Sequence, residues 1–184
     1  NAQIRSIAKI DDQRFMATGF NGLVLRSPDQ GDTWAPLAVP TAGLQYEQSF
    51  FLSPQDGWLI TSSFENDMWH TPDAGNTWEP ITLPIDRFWQ GVYFITPDTG
   101  VVVCNSTGEG RAYITFNGGQ NWQSGYTTAF QLYGVSGIPN PNGTAWIHGY
   151  SSDIEILPYC NMLPVINNFA GDVSPCENDT VTYS

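Results

Sequence analysis

Three octets recur in this chain at one fixed distance, and that regularity constrains the fold more than anything else in the sequence. Residues 27–34 read Ser27-Pro28-Asp29-Gln30-Gly31-Asp32-Thr33-Trp34. Residues 71–78 read Thr71-Pro72-Asp73-Ala74-Gly75-Asn76-Thr77-Trp78, and residues 115–122 read Thr115-Phe116-Asn117-Gly118-Gly119-Gln120-Asn121-Trp122. Asp29, Asp73 and Asn117 are spaced by 44 residues each time. A second feature recurs at a shift of 43: residues 51–58 (Phe51-Leu52-Ser53-Pro54-Gln55-Asp56-Gly57-Trp58) match residues 94–101. A weaker copy follows at residues 137–146, and its counterpart in the first repeat is at residues 10–15.

The segments between these turns are short and either alternate or run apolar, which predicts strands. The first repeat gives strands over 4–10, 14–19, 22–27 and 33–39. The second gives 46–52, 57–62, 67–71 and 77–83, and the third gives 90–95, 100–105, 112–115 and 121–126. A fourth repeat gives 132–137, 144–149 and 153–157, and the octet expected near residue 161 is absent. No stretch of ten or more residues carries a helical apolar period, so the fold is all-β. Four strands per repeat at a period of 40–50 describe the blades of a β-propeller. The expected fold is therefore a propeller fragment of about four four-stranded blades over residues 1–158.

The octet joins the third and fourth strands of a blade. Gly31 and Gly75 supply the positive φ that a tight turn needs. Asp29 and Asp73 can accept backbone N–H groups across the loop, as can the hydroxyls of Ser27, Thr71, Thr33 and Thr77. Trp34, Trp78 and Trp122 are expected to pack their indoles against the blade core, each burying roughly 200 Å². Asn117 and Asn121 replace Asp and Thr in the third copy, and Asn keeps the acceptor.

The pattern Ser/Thr-x-Asp-x-Gly-x-Thr-Trp resembles the Asp box, or BNR repeat, of sialidases, sortilin-type receptors, some glycoside hydrolases and photosystem II assembly factor-like proteins. The accompanying Phe-x-Ser/Thr-Pro-x-x-Gly feature is most similar to the last group. The resemblance covers roughly residues 1–150. It implies that Ser27, Asp29, Gly31, Thr33, Trp34, Thr71, Asp73, Gly75, Thr77, Trp78, Thr115, Asn117, Gly119, Asn121 and Trp122 are turn-forming, not catalytic. Families of this kind close their rings with more blades than four. The chain is therefore expected to be the C-terminal part of a larger propeller, or a ring completed by other chains, because open blade edges would be exposed.

Composition shifts after about residue 158. Residues 159–184 read as a linker followed by Cys176-Glu177-Asn178-Asp179-Thr180-Val181-Thr182-Tyr183-Ser184. That run resembles the opening of Ig-like or PKD-type modules in secreted Bacteroidetes proteins. The resemblance implies a secreted or cell-surface multidomain protein, adhesin-like, with export by the type IX pathway through a C-terminal signal. Cys104, Cys160 and Cys176 are an odd set, with a Cys104–Cys160 bridge one pairing. Three Asn-x-Ser/Thr sequons start at Asn105, Asn142 and Asn178.

Charge and chemistry exclude several functions. Six Lys+Arg against 18 Asp+Glu leave a net charge of −12. That surface repels nucleic acid and anionic membranes, and no apolar run is long enough to span a bilayer. His70 and His148 have no second ligand at zinc spacing, and Glu65-Asn66-Asp67 lacks the glycine of a calcium loop. No metal, cofactor or catalytic residue is therefore assigned. A sialidase would need an arginine clamp, for which Arg5, Arg14, Arg26, Arg87 and Arg111 are the stock. Glycoside hydrolysis would need two carboxylates about 5–10 Å apart, and Glu47, Asp86, Glu109 and Asp153 are candidates without a placement. The leading expectation is a binding or scaffold module that takes a protein or glycan at its face. Trp69, Trp89 and Tyr93 form the expected ligand platform, with Phe88 and Tyr133 as further aromatics outside the octets. A part of a carbohydrate-active enzyme is the alternative.

Overall fold

The computed structural model describes residues 3–62, 67–84, 88–138, 144–150 and 155–158, the side chains of Asp67 and of residues 155–158 excepted. Four antiparallel sheets follow one another along the chain. The first contains β1 (Ile4–Lys9), β2 (Phe15–Gly19), β3 (Val24–Ser27) and β4 (Ala35–Pro36). The second contains β5 (Tyr46–Phe51), β6 (Gly57–Thr61), β7 (Asp67–Thr71) and β8 (Glu79–Thr82). The third contains β9 (Trp89–Phe94), β10 (Gly100–Ser106), β11 (Glu109–Thr115) and β12 (Gln123–Thr128). The fourth contains β13 (Leu132–Gly137), β14 (Thr144–Gly149) and β15 (Glu155–Pro158). Within every sheet the strands pair in chain order, so each is a simple meander. The strands at 67–71, 132–137 and 144–149 have the limits the sequence predicts. The predicted 33–39 strand shrinks to two residues, because Pro36 has no N–H to give and Pro40 follows closely. Cys160, Cys176, Asp86, Arg87, Asp153, Asn142, Asn178 and the whole 159–184 segment lie outside the described residues.

Local side chains make the turns. In the β1–β2 hairpin, Asp11 Oδ1 accepts the N–H of Gln13 (2.9 Å) and of Arg14 (2.7 Å). Ser53 and Thr96 take over in the next two blades: the Asp56 N–H donates to Ser53 Oγ at 3.0 Å, and the Thr99 N–H to Thr96 Oγ1 at 3.0 Å. These Asx- and ST-type closures explain why the second repeated feature keeps a short polar residue at that place.

The first strands of the blades lie side by side: β1 beside β5, β5 beside β9, β9 beside β13. Three apolar clusters fill the spaces between successive sheets. Met16, Val24, Phe51, Leu59 and Trp69 lie between the first and second blades. Trp58, Ile60, Met68, Phe94 and Val102 lie between the second and third, and Tyr93, Val101, Val103, Val135 and Ile147 between the third and fourth. The Trp58 and Phe94 rings stack with centroids 3.8 Å apart at 7°. Burial of each such side chain contributes about 1.5–3 kcal/mol, which is why strand alternation alone suffices to hold blade on blade. The joint between the first two blades also carries three arginines from the first. Arg5 Nε donates to Glu47 (2.9 Å), Arg14 Nη2 to the Pro54 carbonyl (3.1 Å) and Arg26 Nη1 to Asn76 Oδ1 (3.0 Å).

Candidate functional site

The octets form three superimposable closed turns. Ser27 Oγ accepts the Gly31 N–H (2.8 Å) and itself donates to Asp29 Oδ1 (2.9 Å). Asp29 Oδ1 accepts the Thr33 N–H (2.8 Å) and Oδ2 accepts the Thr33 hydroxyl (2.6 Å). Thr71, Asp73, Gly75 and Thr77 repeat this, with Gly75 N–H on Thr71 Oγ1 at 2.7 Å and the Thr77 N–H on Asp73 Oδ1 at 2.7 Å. In the third copy the Gly119 N–H meets Thr115 Oγ1 at 2.9 Å and the Asn121 N–H meets Asn117 Oδ1 at 2.9 Å. The Thr33 hydroxyl and N–H hold the Asp29 carboxyl below the usual carboxylate range, and those of Thr77 do the same for Asp73. Not only Gly31 (φ 98) but also Gln30 (φ 61) is left-handed, as is Ala74 (φ 60) beside Gly75 (φ 86). The turn thus needs two positive-φ residues in succession, the first of which sequence reading does not mark. Trp78 and Trp122 lean on the clusters facing the preceding blade, whereas the Trp34 Nε1–H donates to the Gly31 carbonyl at 3.0 Å. The recurring positions of the octets thus spend their hydrogen bonds on their own loop, while Asn76 also accepts Arg26 from the preceding blade.

The expected aromatic platform is not on the surface. Trp69, Trp89 and Tyr93 are 6%, 0% and 4% exposed. Each faces a neighbouring blade, where its large apolar ring is worth more than in water. Burial also pushes the Tyr93 phenol up. Of the five aromatics singled out, Phe88 (42%) and Tyr133 (50%) are exposed.

Tyr133 belongs to a different arrangement, which lies on the innermost strands. The register of β1 on β2 slips between Ile4 and Ser6, leaving Arg5 as an extra residue. The same slip leaves Glu47 extra in β5, Gln90 in β9 and Tyr133 in β13. Four β-bulges thus recur at one position of the blade. A bulge re-aims a side chain out of the alternation. All four extra residues line one cavity of about 200 Å³, together with Ser6, Gln48, Gly134, Val135 and His148. Seven of these nine residues carry a polar side-chain atom, while the strand residue just before each bulge (Ile4, Tyr46, Trp89, Leu132) is aliphatic or aromatic. That alternation breaks at a spacing of 42, 43 and 43 residues, which is the sequence signal that aligning the first strands reveals.

Charge in the cavity is balanced. Arg5 Nη2 lies 2.8 Å from Glu47 Oε2, with the Glu47 side chain buried. The Gln45 amide donates to the other Glu47 oxygen, and the Arg5 guanidinium also sits 5.6 Å from the Phe20 ring centre. Among the described residues that line the cavity, Glu47 is the single carboxylate. The Tyr133, Gln90 and His148 side chains line the same cavity. The arrangement offers hydrogen-bond donors and acceptors around an aromatic face, with the Arg5 and Glu47 charges paired to each other. Arg111 is elsewhere, paired with Glu109 at 3.1 Å. Among the described residues no group of three or more His, Cys, Asp or Glu side chains converges as a metal site would require.

Neither a protein-family model nor a curated protein sequence matches this chain. Solved structures do. YCF48 bound to a D1 peptide is 18% identical with a TM-score of 0.59, over 84% of this chain and 65% of that one. The GH74 enzyme of Niastella koreensis is 17% identical with a TM-score of 0.63, over 90% of this chain and 31% of that one. The NanB sialidase of Streptococcus pneumoniae is 13% identical with a TM-score of 0.57, over 86% of this chain and 30% of that one. The chain spans less than two thirds of the length of each. At these identities the likeness is one of fold, and with four meandering sheets in chain order the chain is a run of β-propeller blades.

Proposed function

We propose that this chain is a binding module, in which the cavity on the innermost strands holds a segment of a partner protein and the blades are a rigid scaffold for it. One observation carries the reading: four bulges at one blade position turn Arg5, Glu47, Gln90 and Tyr133 toward a single cavity. A structurally similar propeller, YCF48, holds a D1 peptide, which supports a protein segment over a glycan. Catalysis by a carboxylate pair is less well supported, because among the described residues Glu47 is the one carboxylate lining the cavity and Arg5 already pairs with it. The similar GH74 and sialidase structures are the reason to keep that alternative in the test. We further place the module in a secreted or cell-surface multidomain protein, on the resemblance of residues 176–184 to Ig-like and PKD-type modules; surface biotinylation of the producing cells checks this.

The test is selection of displayed random peptides on the 184-residue chain, with Tyr133→Ala and Gln90→Ala chains as counter-selections. A shared peptide pattern that binds the parent and is weakened tenfold or more by either substitution supports the reading, that factor being about 1.4 kcal/mol. Binding indifferent to both substitutions would move the site elsewhere. No enrichment, together with hydrolysis of aryl glycosides or sialosides, would replace the binding module by the enzyme.

A further inference from the structure

The two ends of the blade run carry the two halves of one further joint. The strand residue just before each bulge faces the preceding blade: Tyr46 enters the cluster between the first two blades, Trp89 the next and Leu132 the last. Those three are 0%, 0% and 4% exposed, whereas Ile4 in the same place of the first blade is 54% exposed. Two residues beyond the bulge the contrast repeats, with Ser49, Val92 and Val135 buried and Ile7 58% exposed. The rear of the fourth blade matches this. Ile138 holds the place of Ile10 and Ile95, since each closes its hairpin with an N–H on the carbonyl of Thr144, Arg14 or Thr99. Ile10 and Ile95 are buried against the following blade, and Ile138 is 52% exposed. Trp146 pairs with Ser136 as Met16 does with Ala8 and Trp58 with Phe50. Met16 and Trp58 are buried by the next blade, and Trp146 is half-buried. Where Trp58 finds the Phe94 ring, stacked at 3.8 Å, the first blade presents Lys9, paired with Phe15 as Phe94 is with Gly100.

We infer that two copies of this chain join head to tail, the rear of the fourth blade of each seated on the front of the first blade of the other. The occupant of each open face is thus the opposite face of a second copy. The three internal joints are the template: Ile4 and Ile7 receive the cover that Trp89 and Val92 receive from the second blade. Trp146 takes the part of Trp58 and lies on Lys9, whose aliphatic stem and ammonium suit an indole face. Head-to-tail contacts end in a ring only if the rotation closes. Four blades per copy make eight in the pair, within the 4–8 that propellers close with, and a third copy would exceed it. The inference is independent of the binding-module reading above, since it concerns faces that the cavity does not use.

The experiment is sedimentation equilibrium of the 184-residue chain at up to about 100 μM, in about 0.3 M salt so that the −12 charges of the two copies are screened. The expected result is a mass of twice 20.3 kDa. Ile7→Glu, on the front, and Trp146→Glu, on the rear, should each weaken association about a hundredfold or more, because each places a charge in both joints of the pair. Circular dichroism and the urea midpoint of the monomer check that each variant folds, and Ile138→Glu is the rear variant if Trp146→Glu does not. A parent chain that stays monomeric overturns the inference and leaves the two faces to a partner other than this chain. A dimer broken by the front or the rear substitution alone means that like faces meet, and overturns the head-to-tail union. Masses that grow past two copies overturn the closed pair.

Discussion

Asp29 and Asp73 show how one carboxylate fixes a loop, and how far an amide can replace it. Each accepts a backbone N–H and a threonine hydroxyl, whereas Asn117 in the same place keeps the N–H contact through Oδ1. Asp73→Asn should therefore lower the urea midpoint less than Asp73→Ala, which empties the loop; equal effects would show that charge, not the acceptor, matters. The pH dependence has a definite sign. Both carboxyls are lowered in the folded state by their threonine contacts, so their contribution is full above the unfolded value of about 3.9. It is lost as pH falls through the lowered folded values, and acid unfolding below about pH 4 should be blunted in the Asp29→Asn, Asp73→Asn double variant. An unchanged acid limb would show that other carboxylates govern it. These residues were legible in the sequence because a loop closed on itself depends only on neighbours within five positions.

Strands are where sequence reading succeeds by periodicity and fails by orientation. Gly100 and Phe94 face each other across β9 and β10, and a Cβ at Gly100 would come within 2.7 Å of the Phe94 ring. That ring cannot swing aside, because it is stacked on Trp58 and edge-packed on Trp122. Gly100→Ala should cost about 1–3 kcal/mol by overpacking, and Phe94→Ala about 3–5 kcal/mol by cavity formation, both read from urea unfolding. A neutral Gly100→Ala would mean the sheet gives way where the rings do not. The same packing explains the misplaced platform. Trp69, Trp89 and Tyr93 stand outside the octets, which suggested exposure, yet the blade in front and the blade behind cover them. A strand of Trp89-Gln90-Gly91 gives no local sign of which flank meets a neighbour, and the bulge at Gln90 then reverses the expected face.

At the scale of the molecule, the joints between blades differ in kind. The second-to-third and third-to-fourth joints add neutral amide hydrogen bonds to their apolar packing, Gln48 on the Val92 N–H and Asn105 on the Leu132 N–H and carbonyl, while the first-to-second adds the Arg5, Arg14 and Arg26 bridges. Arg5 is partly exposed and screened by solvent, so Arg5→Met should cost about 1 kcal/mol, although it leaves the buried Glu47 with the Gln45 amide. The loss should be local: amide exchange in β1 speeds up about fivefold while β9 to β12 keep their rates. Uniform acceleration across all four sheets would show that the blades unfold as one unit. Gln48→Ala should likewise expose the Val92 N–H and speed its exchange alone, since that bond crosses between blades without a ladder behind it.

The sequence by itself determined the all-β class, the blade period and the octet turns, because each depends on short-range geometry: positive φ, near-neighbour acceptors and alternation by two. The tertiary structure alone decided which faces are covered and what shares a cavity. Arg5 and Glu47 are 42 residues apart, and Gln90 and Tyr133 lie further along still. Only the side-by-side placement of four bulged inner strands brings them together, and a bulge depends on pairing between strands, which no single strand spells out.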